Sequence, residues 1–175
     1  MLGMNFSAKK PNQIWTSDIT YFKVQNKIYY ICVIVDLYSR KAVACKISRK
    51  QSTQLISAVF KEAYENRCPS EGLIFHSDRG CQYTSYTFQK LLKTYQVEQS
   101  FSPSGRPCHN AVMESFFSSM KKEELYRTHY HSESEFKERV NKYIKFYNTE
   151  RPHSTLGYKT PDSYEKQFYE LSNRK

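Results

Sequence analysis

Three carboxylates and one lysine, Asp18, Asp78, Glu114 and Lys121, have the side-chain types and the spacing that phosphodiester chemistry calls for. Thirty-five residues separate Asp78 from Glu114, and Lys121 stands seven positions beyond the glutamate. Carboxylate oxygens are hard donors suited to Mg²⁺, and two divalent ions about 4 Å apart can activate an attacking oxygen and relieve charge on the leaving one. Seven residues advance a helix by roughly 700°, within about 20° of two full turns, so Glu114 and Lys121 share a face about 10 Å apart along its axis. One can hold metal while the other holds phosphate.

The elements that position these groups are readable in the flanking sequence. Asp18 lies in Ile14-Trp15-Thr16-Ser17-Asp18-Ile19-Thr20-Tyr21, a β-branched and aromatic run that predicts a strand. Asp78 closes the apolar run from Leu73 and precedes Arg79-Gly80, where a short buried strand ends in a turn. Val112, Met113, Phe116, Phe117 and Met120 form one apolar helical stripe that Glu114 borders. Strands are expected over 14 to 24, 28 to 39 and 41 to 48 as an antiparallel meander, then a helix from Ser52 to Asn66. A fourth strand over 73 to 78, a helix near 85 to 95 and a short strand around 97 to 101 follow. Ser102 to His109, with two prolines and a glycine, is expected as a mobile loop leading into the helix of Glu114. Ser132-Glu133-Ser134-Glu135 opens a helix to about Tyr147 as a capping box, and Thr160-Pro161 starts a last one.

Four separate strings resemble the DDE transposases of bacterial insertion sequences, whose catalytic core is similar to retroviral integrase. They are Trp15-x-x-Asp18-Ile19-Thr20-Tyr21, His76-Ser77-Asp78-x-Gly80-x-Gln82-Tyr83, Asn110-Ala111-x-x-Glu114-Ser115-Phe116-Phe117, and Tyr147-Asn148-x-x-Arg151-Pro152-His153-x-x-Leu156-Gly157-x-x-Thr160-Pro161. The resemblance implies an α/β, ribonuclease H-like fold with a mixed five-stranded sheet flanked by helices, in which the first and fourth strands are neighbours. It implies Mg²⁺-dependent nicking at transposon ends, then attack of the exposed 3′-OH on another phosphodiester. Asp18 would bridge two ions (Mg²⁺, with Mn²⁺ as substitute), Asp78 and Glu114 would each hold one, and Lys121 would grip the terminal nucleotide. Lys122, Arg106 and Asn110 are the further candidates for DNA contact. Holding two element ends at once implies a homodimer or larger assembly on transposon and target DNA. The pattern departs at His109, where many relatives carry aspartate, and the family's upstream helical DNA-reading region is expected to be missing.

The composition agrees with a DNA partner. With 27 Lys and Arg against 17 Asp and Glu the net charge is +10, and residues 37 to 61 hold six basic residues and no acid. A chain of 175 residues fits one domain burying roughly 70% of its unfolded surface. The expected organisation is an N-terminal extension over 1 to 12, a core over 13 to 168 and a tail over 169 to 175. Most of the 15 tyrosines and 11 phenylalanines are expected in the core. Five cysteines without a Cys-x-x-Cys pair argue against zinc or a disulfide framework, and His129-x-His131 reads as a surface loop. No stretch has the length of a membrane span and no secretory segment opens the chain, so a bacterial cytoplasm, at the nucleoid, is the expected location. Asp36 is the chief competing carboxylate, better explained by a turn or by Arg40, and His76 either orients Asp78 or packs in the core. The alternatives are a catalytically idle DNA-binding remnant, a nuclease for RNA–DNA hybrids, and a metal-free tyrosine recombinase.

Overall fold

The computed structural model describes residues 8–102 and 111–173. The chain builds β1 (Ile14–Val24), β2 (Lys27–Asp36), β3 (Ala42–Ser48), α1 (Thr53–Arg67), β4 (Ile74–Ser77), α2 (Tyr86–Thr94) and β5 (Glu98–Phe101). Then follow α3 (Ala111–Met120), a π turn (Lys121–Leu125), α4 (Glu133–Thr149), a short 3₁₀ turn (Ser154–Leu156) and α5 (Pro161–Ser172). The strands form one sheet in the order β3-β2-β1-β4-β5. The first three make the expected antiparallel meander, and β4 joins β1 in parallel.

Side-chain alternation sorts the strands into two apolar layers. Even positions of β1 (Phe22, Val24) and odd positions of β2 (Tyr29, Ile31, Val33, Val35) pack with Met113, Phe116 and Met120 of α3 and Phe136, Val140 and Tyr143 of α4. The opposite parity (Trp15, Cys32, Ile34) packs with Ile56, Val59 and Phe60 of α1 and with Phe88 and Leu92 of α2. Asp18 has the parity of Phe22, so it belongs to the face that α3 covers.

The helix starts are capped by side chains the sequence advertises. Ser52, Ser85, Ser132 and Thr160 accept from Leu55, Phe88, Glu135 and Ser163 main-chain N–H groups, and Pro161 opens α5. The capping box differs in one detail: Glu135 Oε2 accepts from the main chain of His131, one residue before the cap. The second strand ends at Asp36, three residues earlier than expected. The buried Asp36 carboxylate accepts from the Tyr38 and Ser39 main-chain N–H groups, at 2.9 and 3.1 Å, and turns the chain there. It also accepts from Asn12. This fixed turn is the role of the competing acid.

Candidate active site

Asp18 is placed by β1, level with Val33 of β2 and half-buried, and its Oδ1 accepts from its own neighbour's N–H, Ile19, at 2.7 Å. β1 and β4 pair in parallel with Thr16 opposite His76. Asp18 and Asp78 each lie two residues past that pair, on neighbouring strands that are about 4.8 Å apart wherever they stay paired. This register overcomes the long separation of the two acids in sequence. Asp78 is exposed at the end of β4, and its Oδ1 accepts from Gly80 N–H at 2.9 Å.

A hydroxyl pair ties β1 to the turn that follows Asp78. Tyr83 is buried, and its hydroxyl lies 2.9 Å from Ser17 Oγ, which also donates to the Val33 carbonyl at 3.0 Å. Burial pushes the Tyr83 hydroxyl well above its ordinary pKa, and the Cys32 thiol beside it up to about 12, so both stay protonated. Ser17 adjoins Asp18, and Tyr83 belongs to the turn that follows Asp78. His76 is buried, with Nδ1 3.2 Å from Ser100 Oγ and Nε2 3.0 Å from Ser102 Oγ. Those bonds make it a brace between β4 and β5.

Glu114 comes from α3, whose apolar stripe faces the sheet and leaves the glutamate exposed on its border. It shares one open cleft of about 430 Å³ with Asp18, Lys121 and Lys122, floored by Thr20 and Phe117. Tyr126 lines the same cleft and is 67% exposed, which leaves an aromatic face available to a base. The sequence reading missed Tyr126 for a physical reason. On an unbroken helix it would point about 120° away from Glu114, but the chain winds more loosely over Lys121–Leu125, where Tyr126 N–H bonds the Lys121 carbonyl. Arg151 anchors that turn by gripping both carboxylate oxygens of Glu123, at 2.8 to 3.0 Å.

The geometry thus unites Asp18 and Glu114 with both lysines, while Asp78 lies outside that cleft, two residues past the last β1–β4 pair. Among the described residues, no three His, Cys, Asp or Glu side chains already stand close enough together to hold a metal ion. Arg106, Asn110 and His109 lie outside the described residues. Among the described cysteines Cys32, Cys45, Cys68 and Cys81 are free thiols. No described helix is long and apolar enough to cross a membrane.

Models of the integrase core domain match residues 8–107 and 95–161. This chain belongs to the integrase core domain family. Similar proteins include the transposase for insertion sequence element IS904 of Lactococcus lactis, 36% identical across 95% of this chain and 66% of its own length. The putative transposase InsK for IS150 of Escherichia coli is 32% identical across 97% of this chain and 60% of its own. This integrase core therefore spans 60 to 66% of the length of those relatives. Among solved structures, the HTLV-2 integrase catalytic core domain in complex with magnesium superposes with a TM-score of 0.74 at 19% identity, covering 91% of this chain and 99% of that one. The shared architecture is the ribonuclease H-like one that the four strings implied.

Proposed function

We propose that this integrase core nicks DNA at transposon ends and transfers the resulting 3′-OH into another phosphodiester. One observation carries the reading: carboxylates from β1 and α3, remote in sequence, open onto the same cleft as two lysines. Acids alone would repel a phosphate chain, and lysines alone would only bind it. Together they suit a cation-assisted reaction on a polyanion.

Asp18, Asp78 and Glu114 are the residues that would hold divalent metal. All are hard oxygen donors, as Mg²⁺ requires, and Asp18 and Glu114 face the same open space. Such ions supply activation of the attacking hydroxyl and charge relief on the leaving oxygen. The remaining work falls to the protein. Lys121 and Lys122 meet the phosphates entering the cleft, Tyr126 offers its exposed ring to a base, and the Ser17–Tyr83 pair fastens the turn after Asp78 to β1. The magnesium of the HTLV-2 core and the insertion-sequence elements of the transposase relatives support the same reading. Transposition further calls for two copies of the chain on two ends, hence a homo-oligomer on DNA.

Incubating the protein with a precut end oligonucleotide, a labelled target duplex and Mg²⁺ tests the proposal. Joined products that vanish with chelator are the expected result. Cleaved but never joined products would make the chain a hydrolytic nuclease, and bound but uncut DNA would make it a binding remnant.

A further inference from the structure

The fourth sequence string, opening at Tyr147, contributes nothing to the lining of the catalytic cleft, yet it grips the element that does. Asn148 pairs with both main-chain groups of Ala42 on the edge strand β3: its amide donates to the Ala42 carbonyl and its Oδ1 accepts from the Ala42 N–H, each at 2.9 Å. Three residues on, Arg151 reaches α3 and its π turn. Its Nε and Nη2 hold both Glu123 carboxylate oxygens at 2.8 to 3.0 Å, and Nη2 also donates to Ser119 Oγ at 3.2 Å. The Tyr147 ring meets Phe116 of α3 edge-on, with centroids 4.6 Å apart. The string is therefore a bracket from the sheet edge to the helix that carries Glu114.

The place of the grip matters. α3 ends at Met120 and the π turn begins at Lys121, so one guanidinium bonds a residue on each side of the change in pitch. Tyr143 of α4 donates a further bond to Glu123, at 2.9 Å, and Arg139 of α4 holds the next acid, buried Glu124, through Nε at 2.9 Å. Both acids of the turn are bound by the segments that pack behind it, while Lys121, Lys122 and Tyr126 line the catalytic cleft. π turns are rare and occur mostly as single turns inside α-helices, frequently at functional sites. A bidentate pair of arginine with carboxylate fixes direction as well as distance, which the point charge of a lysine does not.

We propose that Arg151 is a positioning residue for DNA binding, which acts through Glu123 and Ser119 to hold the π turn and so keeps the Tyr126 ring in the catalytic cleft. The ligand, a DNA strand with a base against Tyr126, rests on the reading above. Arg151 works at one remove from that strand, since its Nε and Nη2 already bond oxygens of the protein.

Glu123→Gln separates positioning from charge. Removing an acid from a basic DNA-binding surface would by electrostatics alone tighten binding, whereas releasing the turn weakens it. Anisotropy with a duplex carrying an unpaired 3′ end, measured on the whole chain in chelator, should show about five-fold weaker binding in Glu123→Gln and in Arg151→Lys, the latter although its charge is kept. Tyr126→Ala should weaken binding about ten-fold, and in that background each of the other substitutions should cost less than about two-fold. Amide exchange over residues 121–126 should quicken in Glu123→Gln and Arg151→Lys while that of α1 stays as in the wild type, which separates a released turn from a damaged fold. Unchanged or tighter binding in Glu123→Gln, equal losses with and without Tyr126, or wild-type exchange over the turn overturns the proposal. A wild-type chain that binds no oligonucleotide overturns the DNA reading and this role with it. Absence of strand transfer with this binding pattern present would sink the catalytic reading alone.

Discussion

Gly80 sits where a side chain would press on the chemistry. A Cβ added there would stand 3.0 Å from Asp78 Oδ1, closer than ordinary van der Waals contact, and the N–H of Gly80 holds that same oxygen. Gly80→Ala is therefore expected to displace the carboxylate by a few tenths of an ångström, lowering strand transfer roughly ten-fold while thermal stability stays within a few degrees. Steady-state kinetics with calorimetry check this. Lys121 carries a different burden. Removing its charge in Lys121→Ala should weaken oligonucleotide binding roughly ten-fold, the worth of one charge-assisted contact of about 1.5 kcal/mol, measured by anisotropy in chelator. Both residues were legible in the sequence through their offsets, glycine two past the aspartate and lysine seven past the glutamate. Tyr126 was not, because a local change of helical pitch has no signature in residue periodicity.

Between elements, two contacts brace the segments that carry the site residues. Tyr83→Phe removes the hydroxyl that joins the turn after Asp78 to Ser17, leaving Ser17 its bond to Val33. The expected cost is about 1 kcal/mol, or roughly 2–4 °C in Tm, with a larger proportional loss in turnover than in DNA affinity. The pair between Arg151 and Glu123 fixes the π turn that carries Lys121 and Lys122. Burial alone would raise the Glu123 carboxyl, but hydrogen bonds from Arg151 and Tyr143 outweigh it and hold the group below its ordinary 4.5. A depressed carboxyl stabilises the fold above its unfolded value and ceases to do so as pH falls through the folded one. Melting curves should therefore drop between about pH 5 and 3, and less steeply in Glu123→Gln. The elements themselves were written in alternation, stripes and caps, which is why strand and helix order followed from the chain. Strand ends were less legible: the carboxylate of Asp36 stops β2 by folding back onto its own turn, a side-chain event that β propensity does not register.

At the scale of the molecule, the proposed DNA binding by a chain of net charge +10 should be dominated by release of counterions. Affinity for a random duplex should fall steeply, by ~10² or more, between 50 and 200 mM salt, as a salt-titrated anisotropy series would measure. Parallel pairing of β1 with β4 is what converts two distant sequence strings into one edge of the sheet, and no local pattern encodes that neighbour relation. It entered through resemblance to a known fold, and the observed strand order agrees with it. The central claim is that Asp18, Asp78 and Glu114 act together on metal and DNA, and Asp78 is the member that lies outside the cleft shared by the other two. Mg²⁺-dependent strand transfer and DNA binding, measured side by side in Asp78→Asn, test it most directly. The account predicts transfer reduced at least a thousand-fold with binding essentially retained; transfer at the wild-type rate would contradict it.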